Sequence, residues 1–146
     1  MRFSMSTEYA IHGLLFLALH GDDGPVFLPE LARKLGFSEH TLRKVFQALT
    51  ADRILVAYRG VKGGYALARR PADITLRDAV ESVEATSPLN QCLVRRKACD
   101  LGSRCAVGSV LGRLTEKINE ALDGVTLADL VESVEDRSKL VRWTKV

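Results

Sequence analysis

From Ser6 to about His20, apolar residues return at the spacing of a helix. Tyr9, Ala10, Gly13, Leu14, Phe16 and Leu17 mark its inner side, and Gly21-Asp22-Asp23-Gly24-Pro25 ends the run. A second, short helix is predicted from about Pro29 to Leu35, with proline early in it and Gly36 just past it. Ser38 is a good N-cap for a third helix. Phe37 and Leu42 are spaced for a hydrophobic staple across its start, and Leu42, Val45, Phe46 and Leu49 form its apolar stripe. After Asp52-Arg53 the period shortens. Residues 54–58 and 65–68 read as strands joined by Arg59-Gly60-Val61-Lys62-Gly63-Gly64, a basic, glycine-rich hairpin. Two short helices around a glycine turn, followed by such a hairpin, are the pattern of a winged helix-turn-helix.

Downstream, Thr75 and Asp78 fit a capping box that opens a further helix, and Pro88 breaks its pattern. A polar loop then holds Cys92, Cys99 and Cys105. Val107, Val110, Leu111, Leu114, Ile118, Ala121 and Leu122 mark one long amphipathic helix ending at Asp123-Gly124, and Thr126 and Asp129 cap a last segment. That long stripe exceeds what a domain of this size needs to cover its own core. The expected fold is mainly α with a small β-hairpin wing, divided into residues 1–85, a cysteine loop at 86–106 and a C-terminal part at 107–146.

Composition narrows the class without changing this layout. The chain has 146 residues, of which 47% are hydrophobic and 27% charged, the balance of one soluble globular domain. Its apolar run at residues 13–19 is far short of the roughly 20 residues that span a bilayer. Glu8 and His12 before that run and the acidic turn after it make a poor secretory signal, so a cytoplasmic protein without a membrane partner is expected. Charge is more informative. Residues 28–70 hold nine Lys/Arg against three acids, or +6, which leaves −3 for the remainder of a chain whose total is +3. One basic module in an otherwise mildly acidic chain points to a polyanion bound by that module.

In a helix-turn-helix the second helix enters the major groove, so its outward residues Ser38, His40, Thr41, Arg43, Lys44 and Gln47 are the candidate DNA readers. Arginine or lysine pairs with guanine and glutamine with adenine, and Lys44 serves equally as a phosphate contact. In the hairpin, Arg59, Gly60 and Lys62 combine charge with a backbone that can approach DNA closely, and an arginine there suits a narrow minor groove. Any one of these is ordinary as a surface residue; their order along the chain carries the reading.

The cysteines are spaced Cys-x6-Cys-x5-Cys, and no others occur. An odd count argues against a disulfide framework, and neither the paired spacing nor a fourth ligand of a zinc site is present. Arg95, Arg96, Lys97 and Arg104 nearby favour thiolates. Spacing alone leaves two chemistries open, three corners of an iron–sulfur cluster or a thiol redox switch. An electron carrier or enzyme is a third class, but nothing marks a substrate pocket and a basic wing has no purpose there.

The chain resembles the Rrf-type family of iron–sulfur winged-helix transcription regulators, the group that includes IscR, NsrR and RirA. The likeness lies in Ser6-Thr7-Glu8-Tyr9-Ala10, Lys44-Val45-Phe46-Gln47-Ala48-Leu49, the wing from Arg59 to Ala68, Ile74-Thr75-Leu76-Arg77-Asp78-Ala79-Val80 and Thr126-Leu127-Ala128-Asp129-Leu130-Val131. The resemblance implies a homodimer held by the long helix and bound to a palindromic DNA operator, more often as a repressor than as an activator. It implies a 4Fe–4S or 2Fe–2S cluster on Cys92, Cys99 and Cys105. Some members carry a histidine three residues past the last cysteine, where this chain has Gly108. In others an acidic residue of the partner's first helix completes the cluster; Glu8 stands at that position, and His12 lies one turn on, on the same face. Nitric oxide, oxygen or redox poise, and iron status are the signals such a site would sense.

Overall fold

The computed structural model describes residues 3–21, 24–61, 63–84 and 105–134. Helix α1 (Met5–His20) starts at Ser4, whose side chain accepts from Thr7 N. Its buried residues, Thr7, Tyr9, Ala10, Gly13, Leu14, Leu15, Phe16, Leu17 and Leu19, fall on more than one face. A helix that is apolar nearly all round belongs inside, and α1 forms the axis on which the other elements pack. Around it lie α2 (Leu28–Leu35), α3 (Glu39–Ala51), the hairpin β1 (Leu55–Tyr58) and β2 (Gly64–Leu67), α4 (Leu76–Val83) and α6 (Leu127–Ser133). A short 3-10 turn at Pro71–Asp73 precedes α4, and the long helix α5 (Ala106–Asp123) precedes α6.

The core joins Leu28, Leu31 and Leu35 of α2 to Leu42, Val45, Phe46 and Leu49 of α3, with Ile54, Leu55, Ile74, Ala79 and Leu127 closing it. Each of these side chains other than that of Ala79 contributes about 1.5–3 kcal/mol when fully buried. The turn between α2 and α3 depends on Gly36, which takes the left-handed conformation (φ 67°) and returns its N–H to Ala32 O. The hairpin is antiparallel, with Leu55 opposite Leu67 and Tyr58 opposite Gly64. Both strands sit within a residue of the expected segments.

Both expected capping boxes are present, at Thr75/Asp78 and Thr126/Asp129. The two helix starts are also stitched together. Thr75 bridges Thr126, Leu76 N donates to Val125 O at 2.9 Å, and Leu127 N donates to Ile74 O at 2.8 Å. Arg77 adds ion pairs to Glu81 (2.7 Å) and to Asp123 (2.8 Å) at the end of α5. So α5 is anchored at its C-terminal end, and α6 packs back against α1. The rest of α5 leaves Val107, Val110 and Leu114 exposed. Among the described residues no helix is long and apolar enough to cross a membrane.

A carboxylate links the two ends of the winged-helix part. Glu84 Oε1, just past α4, accepts from Ser4 N (2.8 Å) and from the buried hydroxyl of Thr7. Burial pushes the Glu84 carboxyl up, but the hydrogen bonds from Thr7 and Ser4 prevail and hold it below its ordinary value of 4.5. A group depressed in the folded state stabilises fully above its unfolded value and loses that contribution as pH falls through its folded value. Glu84→Ala should therefore lower stability at pH 7 by about 1–3 kcal/mol, because Thr7 is left unpaired, and the deficit should shrink at pH 3. Denaturant melts at both pH values read this directly; an equal deficit at both would contradict it.

Close approach of α1 to α3 depends on Gly13, where an added Cβ would lie 2.6 Å from the Phe46 ring. Gly13→Ala should destabilise the fold by about 1–3 kcal/mol through overpacking, measured by urea unfolding. A wild-type midpoint would show that Phe46 can tilt away freely.

Candidate functional site

Helix α3 presents two unlike faces. Leu42, Val45, Phe46 and Leu49 are buried, as the stripe predicts, whereas Ser38, His40, Arg43, Lys44 and Gln47 are exposed and Thr41 is half-buried. Ser38 caps the helix by accepting from Thr41 N at 3.4 Å. The Arg43 guanidinium is paired with Glu39 one turn back, at 2.6 Å, with both side chains about half exposed. An exposed pair of this spacing is worth about 0.3–0.5 kcal/mol. So weak a pair does not fix Arg43, and its guanidinium stays available to a stronger acceptor.

The wing brings a second cation to the same place. Arg43, Arg59 and Gly60 line one groove of about 280 Å³ between α3 and the hairpin, with Phe27, Tyr58 and Tyr65 among its walls. Glycine is required twice in this turn. Gly60 has φ 103°, and a Cβ on Gly63 would meet Tyr58 O at 2.6 Å and Gly60 O at 2.8 Å. Arg59 and Gly60 are exposed, and Val61 stands fully in solvent at the tip. Lys62 lies outside the described residues. Sequence reasoning did not single out Phe27, an exposed aromatic on the groove wall; a lone apolar residue before a helix carries no signal of that placement.

The candidate metal ligands divide between two places. Glu8 is exposed and His12 half-buried on α1, and both line a groove of about 360 Å³ with Phe3, Met5, Thr7 and Ile11. His12 Nδ1 donates to the Glu8 carbonyl oxygen at 2.9 Å, since a carbonyl only accepts. In the neutral ring Nε2 then carries the lone pair, the arrangement in which a ligating histidine is oriented by a bond at its other nitrogen. Cys105 is the N-cap of α5, half-buried, with Sγ accepting from Gly108 N at 3.4 Å. Gly108 is buried beside it, and a Cβ there would lie 3.9 Å from Sγ. Cys92 and Cys99 lie outside the described residues. Among the described residues no three His, Cys, Asp or Glu side chains converge on a point.

Comparison with known proteins agrees with this architecture. Residues 3–133 match the Rrf2 family, described as an iron-dependent transcriptional regulator. The ORF2 protein of Azotobacter vinelandii, named as an HTH-type transcriptional regulator, is 33% identical over 97% of this chain and 85% of its own length. The HTH-type transcriptional regulator IscR of Yersinia pseudotuberculosis is 30% identical over 91% of this chain and 80% of its own. Among solved structures, T. potens IscR superposes with a TM-score of 0.74 at 29% identity, covering 92% of this chain and 89% of that one. CymR, the global cysteine regulator of B. subtilis, superposes with a TM-score of 0.69 at 24% identity over 92% of this chain and 99% of its own, a likeness of fold alone. These relatives regulate transcription and are not enzymes. The helices, the basic wing and the match across nearly the whole length lead to one conclusion: the chain belongs to the Rrf2 family of winged-helix transcriptional regulators.

Proposed function

We propose that this regulator is a homodimer that binds a palindromic operator, with affinity set by an iron–sulfur cluster. The observation that carries the reading is the Glu8–His12 turn. A carboxylate and an oriented imidazole share one face of α1 beside an open, largely apolar groove. Carboxylate, imidazole and thiolate together are a donor set suited to iron. In this account Cys92, Cys99 and Cys105 hold one 4Fe–4S or 2Fe–2S cluster, and Glu8 of the partner subunit supplies the fourth ligand, with His12 the alternative. Gly108 supplies no ligand. When bound, the cluster supplies a centre sensitive to nitric oxide, oxygen or redox poise, or iron supply. A carboxylate is a weaker partner for iron than thiolate, which makes that corner the labile one.

The DNA-binding part is residues 1–85, the cysteine loop 86–106 and the dimer segment 107–146, of which α6 packs on the DNA-binding body. Ser38, His40, Thr41, Arg43, Lys44 and Gln47 read the major groove, while Arg59, Gly60 and Lys62 contact the backbone or minor groove. The exposed Val107, Val110 and Leu114 on α5 belong to the dimer contact. Repression is the expected outcome of operator binding, in the cytoplasm. A second reading keeps the DNA part and uses the cysteines as a thiol switch; Cys105, half-buried at a helix start and hydrogen-bonded through sulfur, serves either chemistry.

Protein purified without oxygen should absorb in the visible region. Each of Cys92→Ala, Cys99→Ala and Cys105→Ala should abolish that absorbance, while Glu8→Ala should leave a shorter-lived cluster with an altered spectrum. Full iron and sulfide in all three cysteine variants would end the cluster reading; a colourless protein whose operator binding responds to oxidant would establish the switch. If His12→Ala alters the spectrum and Glu8→Ala does not, the fourth ligand is His12.

With an operator selected from random duplexes, Arg59→Ala should weaken binding and lower the salt slope by roughly 0.9 for each phosphate it no longer neutralises. An unchanged slope in a folded variant would remove Arg59 from the interface. Leu114→Glu with Ile118→Glu should give monomers on sedimentation and poor operator binding, because paired half-sites are read together. A stable dimer would place the interface elsewhere.

A further inference from the structure

Helices α1, α3, α4 and α6 each begin with Ser or Thr as a capping side chain, but they differ in how the backbone N–H of that cap residue is satisfied. For α4 and α6 the answer is local, since the N-cap N–H of Thr75 donates to Asp78 and that of Thr126 to Asp129. For α1 a distant carboxylate serves, that of Glu84. In α3 the position that completes a capping box is Thr41, which has no carboxylate. The Ser38 N–H donates instead to the phenol oxygen of Tyr9, 29 residues away on α1, at 3.2 Å. The start of the recognition helix is therefore set by another helix.

Tyr9 is placed by a further contact. Tyr9 is 9% exposed, and its ring stacks face to face on Phe37, with centroids 4.0 Å apart and planes 7° from parallel. The same Phe37 meets the His12 ring edge-on, at 5.9 Å and 80°. Both rings lie close enough to Phe37 for aromatic attraction. His12 in turn is tied to the Glu8 carbonyl. Continuous contacts thus run from the Glu8–His12 turn through Phe37 and Tyr9 to the amide that opens α3.

We propose that Tyr9, acting with Phe37, is a positioning residue that couples the setting of the recognition helix to the Glu8–His12 turn, so that operator affinity follows what that turn binds. This rests on the reading of the turn as part of the cluster site. Binding through the His12 imidazole fixes the direction of that ring, and binding through the Glu8 carboxylate acts on the same helical turn, whose Glu8 carbonyl anchors the ring. The Phe37 edge must accommodate either. Close-packed rings do not absorb such a shift, so Tyr9 and the Ser38 amide move with it. A small change at the first turn of α3 displaces the residues that meet base edges.

The test uses Tyr9→Phe, which keeps the stacked ring and removes the acceptor, and Phe37→Leu, which keeps apolar volume and removes the stack. Full-length protein is measured with and without its cluster on a duplex selected with the wild type, alongside the visible spectrum and thermal melt. The wild-type affinity ratio between the two forms should fall in the range of about 5- to 150-fold usual for coupled sites, and in each variant it should collapse to within about twofold of one. The spectrum should be unchanged in both. A ratio retained while both forms weaken equally would make Tyr9 a mere support of α3 and overturn the proposal, as would no change at all. A wild type without a cluster, or with equal affinities in both forms, would instead refute the underlying reading and the proposal with it. Should Tyr9→Phe melt early, Phe37→Leu decides alone.

Discussion

The burial of α1 on nearly all sides is the constraint on which the structure depends. A helix carrying Leu14, Leu15, Phe16, Leu17 and Leu19 nearly in succession cannot lie on a surface, so α2, α3, α4, α6 and the wing are gathered around it. One face of its first turns escapes this enclosure. There Glu8 is exposed and His12 half-buried, and Phe3 and Met5 stand exposed at the groove beside them. One rigid rod thus has its middle in the core of the DNA-binding part and its start at the candidate metal corner. Anything that re-seats the start acts on an element that cannot bend without disturbing the core.

Local elements were legible in the sequence because local chemistry sets them. The Ser38 cap, the Thr75/Asp78 and Thr126/Asp129 boxes, the glycine turn at Gly36 and the alternation around the wing each depend on residues a few positions apart. The stripe on α3 is buried residue for residue as its spacing predicts. What the sequence did not disclose are contacts between distant segments. Phe37 reads as a staple for Leu42, yet its ring stacks on Tyr9. Tyr9 reads as one more residue of a buried stripe, and its hydroxyl contact with Ser38 is invisible without the fold. The Glu84 bridge to Ser4 and Thr7 spans about eighty positions and has no motif. The meeting of Arg43 with Arg59 in one groove follows only once the hairpin is folded beside α3. For the cysteines, spacing leaves cluster and thiol switch both open, and family membership is what tilts the balance.

The same geography fixes how α5 leaves the DNA-binding part. Helix α5 is secured at its C-terminal end by Asp123 to Arg77 and by the backbone bonds that pair the starts of α4 and α6. Exposed ion pairs are screened by solvent, so the backbone pairing and the buried Leu127 are the firmer part of that anchor. The opposite end of α5 begins at Cys105, so the proposed dimer helix and the proposed cluster loop meet at a single residue.

The central claim is that the Glu8–His12 corner and the recognition helix are mechanically one unit. Amide hydrogen exchange on the protein, compared between forms with and without the proposed cluster, tests this most directly. Residues 38–42 should change protection with cluster state, while the α6 segment at 127–133, built on its own capping box, should not. Identical exchange at residues 38–42 in the two forms would contradict the claim.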